Sequence, residues 1–223
     1  MARSSVLVLG LLASPLLAAP AGLRVKASPA VAPCVAAAAA EYQRTSGQHI
    51  AVETAAILSQ DAANGADVVV AADSELNRVI ESGASDPDME VEVGTLPWVL
   101  AGAPGAPAVE LHALGRSGSV VRTLGGPVAR ETWRRLRLQG FSPARVERIR
   151  ETPVRLQPGE AAVVPLSLAG PGSVAVLDVP PLRPRAVMVR ASPRKPESRA
   201  FLAFLGTSPG ATAFQTCGRA VSR

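Results

Sequence analysis

Near the C-terminus, Phe201, Leu202, Phe204 and Leu205 form an i, i+1, i+3, i+4 apolar stripe, which predicts a helix with one buried face and Gly206 at its stop. Ser208 and Pro209 then read as the N-cap and first turn of a second short helix, Gly210 to Thr216. Closer to the N-terminus, strands and helices alternate. Leu23 to Ala27 reads as a strand, Pro33 to Thr45 as an Ala-rich helix stopped by Gly47, and His49 to Glu53 as a second strand. Ala56 to Ala63 predicts a short helix ending at Asn64-Gly65, and Asp67 to Ala71 an unbroken, Val-rich buried strand. Ser74 to Ser82 follows as a helix, opened by Asp73 or Ser74 and closed by Gly83. This βαβαβα order predicts an α/β fold with a parallel sheet covered by helices on both faces. In such sheets ligands lie beyond the carboxyl ends of the strands, which points to Ser28, Thr54 and Ala72-Asp73.

Residues 1–21 read as a processed leader rather than as part of the fold. Arg3 supplies a positive n-region, Val6 to Leu12 with Leu16 and Leu17 an apolar stretch, and Ala19-Pro20-Ala21 a small-x-small cleavage site. Pro15 breaks the apolar run, which falls short of the ~20 residues of a membrane span. No cysteine directly follows it, so a lipid anchor is not expected, and the mature chain is expected free in the periplasm.

The remaining ~200 residues can bury a substantial core as one large or two small domains. Aromatic residues make up only 3% of the chain, so Ala, Val and Leu must fill that core. The two cysteines, Cys34 and Cys217, stand near opposite ends of the mature chain. In an exported protein they are expected to pair, with a loop-closure benefit of roughly 4 to 5 kcal/mol; two separate buried thiols are the alternative. Two histidines and no CxxC spacing give no basis for a metal site. Charge is uneven: residues 1–110 carry 5 basic and 12 acidic side chains, net −7, and residues 111–223 carry 18 and 6, net +12. Such asymmetry can steer an anion. Arg130, Arg134, Arg135 and Arg137 around Trp133 read as the solvated face of an amphipathic helix, and export argues against a nucleic-acid role.

The order of several motifs resembles the periplasmic molybdate-binding proteins of ABC importers. The carrying residues are Ala27-Ser28-Pro29 at a strand end, Ile57 to Gln60 leading to Gly65-Ala66-Asp67, and the strand running to Ala71-Ala72-Asp73. Val93 to Ala101 is similar to the family's strand crossing into a second domain, and Gly159 to Ser167 with Gly172 to Leu182 to its return. The closing phrase Pro196 to Gly210 matches as well. The resemblance implies a type II periplasmic binding-protein fold, two α/β lobes joined by crossing hinge strands. Lobe one would comprise 22–97 and 178–223, and lobe two 98–177.

It also implies a monomer that captures a small oxyanion such as molybdate or tungstate and delivers it to an ABC permease, using hydroxyls and helix N-termini rather than a cofactor. Ser28 matches the family's first binding serine. Where a Gly-Ser-Ser-Gly type loop is expected, the chain reads Val52-Glu53-Thr54-Ala55-Ala56, leaving Thr54 and Ala55 as the corresponding ligand contacts. Gly126, in Gly125-Gly126-Pro127, resembles the second-lobe loop that donates backbone N–H groups, and Ser167 falls near a polar ligand position. Another small anion, an organic ligand, or a ligand-free envelope interaction module are the alternatives. Neither His49 nor His112 stands in a recognisable triad setting and no Gly-x-Ser-x-Gly elbow occurs, so catalysis is not expected.

Overall fold

Strand β1 (Leu23–Ala27) pairs in parallel with β2 (Ile50–Thr54) on one side and with β3 (Val68–Ala72) on the other. The computed structural model that shows this describes residues 22–57, 60–106, 114, 120–149, 154–170, 172 and 174–217. The expected leader 1–21, His112, and Leu58 and Ser59 of the expected helix 56–63 lie outside them. That expected helix is represented by a 3-10 turn, Gln60–Ala63.

The first sheet has the order β2-β1-β3-β10-β4, with β4 at Ser85–Glu92 and β10 at Pro184–Val189. It is mixed rather than wholly parallel, a correction to the sequence reading: β10 runs antiparallel to both β3 and β4. β10 comes back from the far half of the chain, so no helical crossover orients it along β3. β4 carries Pro87 and forms the sheet's edge, where a residue lacking an N–H is tolerated.

A second sheet repeats this plan in the order β7-β6-β8-β5-β9. Its strands are β5 (Trp98–Gly102), β6 (Val120–Thr123), β7 (Arg145–Arg148), β8 (Glu160–Pro165) and β9 (Val174–Val176). Here β6 is parallel to β7 and β8, and β5, entering from the first half, is antiparallel to β8 and β9. The two connections, 93–97 and 177–183, cross side by side. Leu96 and Leu182 exchange N–H···O bonds of 2.9 and 2.8 Å there.

The apolar runs sort by the two-residue period of strands. Val68, Val70 and Ala72 of β3 enter one core while Val69 and Ala71 enter another on the opposite face, so every position of the strand is buried. β5 divides likewise, with Trp98 and Leu100 on one side and Val99 and Ala101 on the other. The largest core is continuous from Val25 and Val70 through Leu96, Trp98 and Leu182 to Val121 and Val163, joining the inner faces of both sheets.

Helix α1 (Ala32–Ser46) buries Cys34, Val35, Ala38, Ala39 and Tyr42 and ends where Gly47, at φ 73°, donates its N–H to Gln43 O. The left-handed φ is why glycine stands there. Helix α2 (Asp73–Glu81) begins one residue earlier than expected. Its N-cap is Ala72 rather than Asp73 or Ser74, because β3 runs into the helix without a turn. Helix α3 (Pro127–Leu138) covers the second sheet, fixed by Trp133 Nε1 donating to Thr123 Oγ1 at 2.9 Å and by Trp133 stacking on Phe141.

In α4 (Lys195–Leu205) the expected stripe buries Phe201, Leu202 and Leu205, while Phe204 is half-buried against Tyr42. The N-cap of α5 (Ser208–Thr216) is Thr207, whose Oγ1 accepts from Gly210 N, and not Ser208. Cys34 and Cys217 are disulfide-bonded, with their Cα atoms 5.0 Å apart.

Candidate functional site

Both sheets aim the carboxyl ends of their parallel strands at the seam between them, and the five sequence-derived positions follow those ends. Ser28 succeeds β1, Thr54 ends β2 with Ala55 after it, Gly126 lies between β6 and α3, and Ser167 lies in the 3-10 turn Leu166–Leu168 after β8. Helices α1, α2 and α3 start from the same edge, so their positive dipole ends are presented at the carboxyl ends of β1, β3 and β6.

Ser28 is fully buried. Its backbone N–H donates to Val70 O at 3.0 Å and its carbonyl accepts from Val31 N and Ala32 N, which fixes the turn into α1. The Ser28 Oγ, in contrast, has no hydrogen-bond partner among the described residues. A buried hydroxyl without a partner is costly, which makes it a candidate ligand contact. Ala55 lies beside β1, and its N–H donates to Ala27 O at 2.9 Å, so that group is engaged within the sheet. Thr54 is exposed. Gly126 adopts φ 92°, and open space surrounds the position of its missing Cβ. Its neighbour Gly125 lies under the Arg148 guanidinium, where a Cβ would collide.

Ser167 is brought to the same seam by a bond between the two halves. Its buried Oγ donates to Ala30 O, two residues after Ser28, at 2.6 Å. Its single proton is therefore committed, and toward a ligand it offers only acceptor lone pairs. α2 of the first half also packs against α3 of the second.

Sequence reasoning missed Glu75. It occupies the third position of α2 and is 9% exposed. Burial pushes its carboxyl above the usual carboxylate range, while the Ser28 hydroxyl and the Ala72 N–H pull part of the way back by favouring the charged form. The Ser28 contact falls short of full hydrogen-bond geometry, and Glu75 Oε2, like Ser28 Oγ, is left buried without a partner among the described residues. The only signal in the sequence is a Glu three residues into a helix, where it can reach back to the N-cap N–H. The acidic residue that stands out from the resemblance, Glu53, is exposed.

The start of α2 is held from the other side by Arg185 of β10, which pairs with Asp73 at 2.7 Å and also engages Glu90 and Asn77. Of two further cavities, one lies away from this seam and the other reaches its Gly125-Gly126 loop. One, of about 510 Å³, lies by Arg24, Gly65 and Arg190 at the opposite edge of the first sheet; another, of about 560 Å³, lies by Trp133 and Val146 on the second half. Among the described residues no group of three or more His, Cys, Asp or Glu side chains comes together as a metal site would require.

Two similar α/β halves, crossed twice by the chain and facing each other across strand ends, define a type II periplasmic binding-protein fold. Residues 23–219 match the family described as bacterial extracellular solute-binding protein, and the chain belongs to that family. It is thus a solute-binding protein and not an enzyme.

Among solved structures it is similar to the periplasmic molybdate-binding protein of Azotobacter vinelandii, at 15% identity and TM-score 0.66 over 88% of this chain and 97% of that one. Peb3 of Campylobacter jejuni aligns at 13% identity and TM-score 0.65, covering 88% and 98%. The sulfate-binding protein SubI of Mycobacterium tuberculosis aligns at 16% and 0.58, covering 88% and 85%. Among curated proteins none matches the chain in sequence.

Proposed function

We propose that this protein captures a small oxyanion, the class that includes molybdate and tungstate, between its two lobes in the periplasm and presents it to an ABC permease. Lobe one is 22–97 with 178–223, and lobe two is 98–177. The observation that carries the reading is the buried, unpartnered Ser28 hydroxyl at the carboxyl end of β1, in a sheet whose helices start at the same edge. Helix N-termini and hydroxyls bind anions without needing a side-chain countercharge. Ser28 supplies a donor from lobe one, and the Gly126 loop supplies backbone N–H groups from lobe two. Thr54 and Ala55 border the site, and Ser167 holds the lobes together. A ligand that touches both lobes favours the closed form by its differential affinity, and the closed form is what a permease recognises.

A second reading, a ligand-free envelope interaction module, is favoured by the Ser167–Ala30 bond, in which a backbone carbonyl of one half already takes the proton of a hydroxyl of the other. Thermal melting of the ligand-stripped protein separates the two. A ligand that binds only the folded state, at about 100 times its dissociation constant, adds ~2.7 kcal/mol and raises the midpoint by several degrees. We expect such a rise with at least one tetrahedral oxyanion among molybdate, tungstate, sulfate and phosphate. An unchanged midpoint with all of them, and with a panel of small organic anions, would favour the ligand-free reading.

A further inference from the structure

We propose that the cavity at the edge of the first sheet opposite the seam is a second ligand site, which takes a soluble compound carrying several linked phosphate groups. Nothing in this depends on an anion at the seam.

Four neighbouring strands open onto that cavity, of about 510 Å³: β1 and β3 by their starts, β10 by its end, and β4 by the turn that precedes it. Such a volume suits a small molecule of many atoms better than one tetrahedral ion. Arg24 of β1, Arg190 directly after β10 and Arg194 at the N-cap of α4 line it. None of the three guanidinium groups has a hydrogen bond or an ion pair among the described residues.

The one carboxylate lining the cavity among the described residues does not neutralise them. Asp67, of the Gly65-Ala66-Asp67 motif, is 4% exposed and has both oxygens occupied. Its Oδ2 accepts from the Arg24 backbone N–H at 2.8 Å and its Oδ1 from Ser192 Oγ at 2.7 Å. Ser192 Oγ in turn accepts from the Arg194 backbone N–H at 3.0 Å, and the Arg190 N–H donates to Ala84 O at 2.9 Å. Asp67 thus helps to fix the backbone that carries the arginines while their side chains stay free. Three cations against one carboxylate favour a multiply charged anion.

The spacing of the cations selects its form. The Arg24 guanidinium lies over Gly65, its Nη1 3.3 Å from where a Cβ would stand, and Arg190 Nη1 is 3.9 Å from the corresponding point at Gly83. Gly65 leads into β3 and Gly83 into β4, two strand spacings away, so the two groups stand on the order of 10 Å apart. A chain of phosphates reaches both at once, whereas a single tetrahedral anion faces one. Guanidinium forks take phosphate oxygens two at a time, and phosphates present oxygens in every direction along a chain, unlike planar carboxylates.

The test is titration calorimetry at physiological salt with tripolyphosphate, orthophosphate and citrate, on the wild-type protein, Arg24→Gln and Arg190→Gln. Tripolyphosphate is expected to bind the wild type at least tenfold more tightly than the other two, and each substitution to weaken it by about tenfold. Both side chains are exposed and unpaired among the described residues, so the variants are expected to melt as the wild type does without ligand. Their melting response to molybdate, tungstate and sulfate is expected to match the wild type as well. If no protein responds to those ions, the seam reading falls and this one stands. Tripolyphosphate affinity unchanged by either substitution would put the ligand elsewhere and overturn the proposal. Citrate binding as tightly would also overturn it, since charge alone would then be recognised. So would cosedimentation with phosphatidylglycerol vesicles in the absence of tripolyphosphate binding, which would make the arginines a membrane-facing patch.

Discussion

Burial of Glu75 has a consequence for stability that does not depend on any ligand. A carboxyl held above its unfolded value binds its proton more readily in the folded state, so its favourable contribution is fully present below the ordinary carboxylate pKa and is lost as pH rises through the raised one. Other carboxylates act in the opposite sense and in a lower range. Glu131, exposed on α3, is held at about 2, first by its hydrogen bonds from Arg134 and then by Arg135, so what it contributes is lost only toward strong acid. The two windows do not overlap. Urea unfolding of the ligand-free protein is therefore expected to show stability falling as pH rises above the ordinary carboxylate range, and the Glu75→Gln variant is expected to flatten that slope. Parallel slopes in the two proteins would mean that Glu75 is hydrated in solution and not buried.

Among the elements, the strands were the most legible in the sequence. Leu23 to Ala27 was readable to the residue, and the Val-rich β3 and the stripe of α4 to within a residue or two, because each pattern states which faces are buried. The antiparallel insertion of β10 was not, since strand order depends on which halves of the chain meet and not on any local period. Caps were misplaced for a related reason. Ala72 caps α2 only because β3 enters it directly, and Thr207 outcompetes Ser208 because the turn after α4 begins at Gly206. Of the site, Ser28 could be named from its motif, whereas Glu75 could not, because its burial is produced by tertiary packing around the start of α2. The disulfide is the long-range element that the sequence did announce. It ties α1 to the residue following α5 across a separation of 183 residues. Replacing both cysteines by serine is expected to lower the unfolding free energy by about 2 to 5 kcal/mol, measured in denaturant, while leaving anion affinity within about twofold, since the bond packs against the main core where α1 meets the end of α5. A tenfold loss of affinity in the double variant would instead tie the position of α1 to the shape of the site.

For the whole molecule, the equilibrium that the proposed capture of a ligand depends on is between open and closed lobes, and one bond in the structure bears on it directly. Ser167 Oγ donates to Ala30 O across the seam, with both groups buried, so opening must expose them or leave them unpaired. The crossing strands do not resist that motion in the same way. The Leu96–Leu182 ladder lies within the hinge itself and survives a rotation about it. A buried neutral hydrogen bond contributes ~1 kcal/mol net, which corresponds to about fivefold in the ratio of closed to open forms. Ser167→Ala should therefore raise the open population of the ligand-free protein, seen as a larger radius of gyration in small-angle scattering, and weaken ligand binding by roughly the same fivefold, because closure must then be driven by the ligand alone. The paired readouts separate this from direct contact with the ligand. If affinity falls while the ligand-free dimensions stay the same, Ser167 acts on the bound anion through its lone pairs and the lobes are held by their shared apolar core. If the dimensions grow and saturating ligand restores them, the hydroxyl is a latch whose strength tunes how readily the empty protein closes.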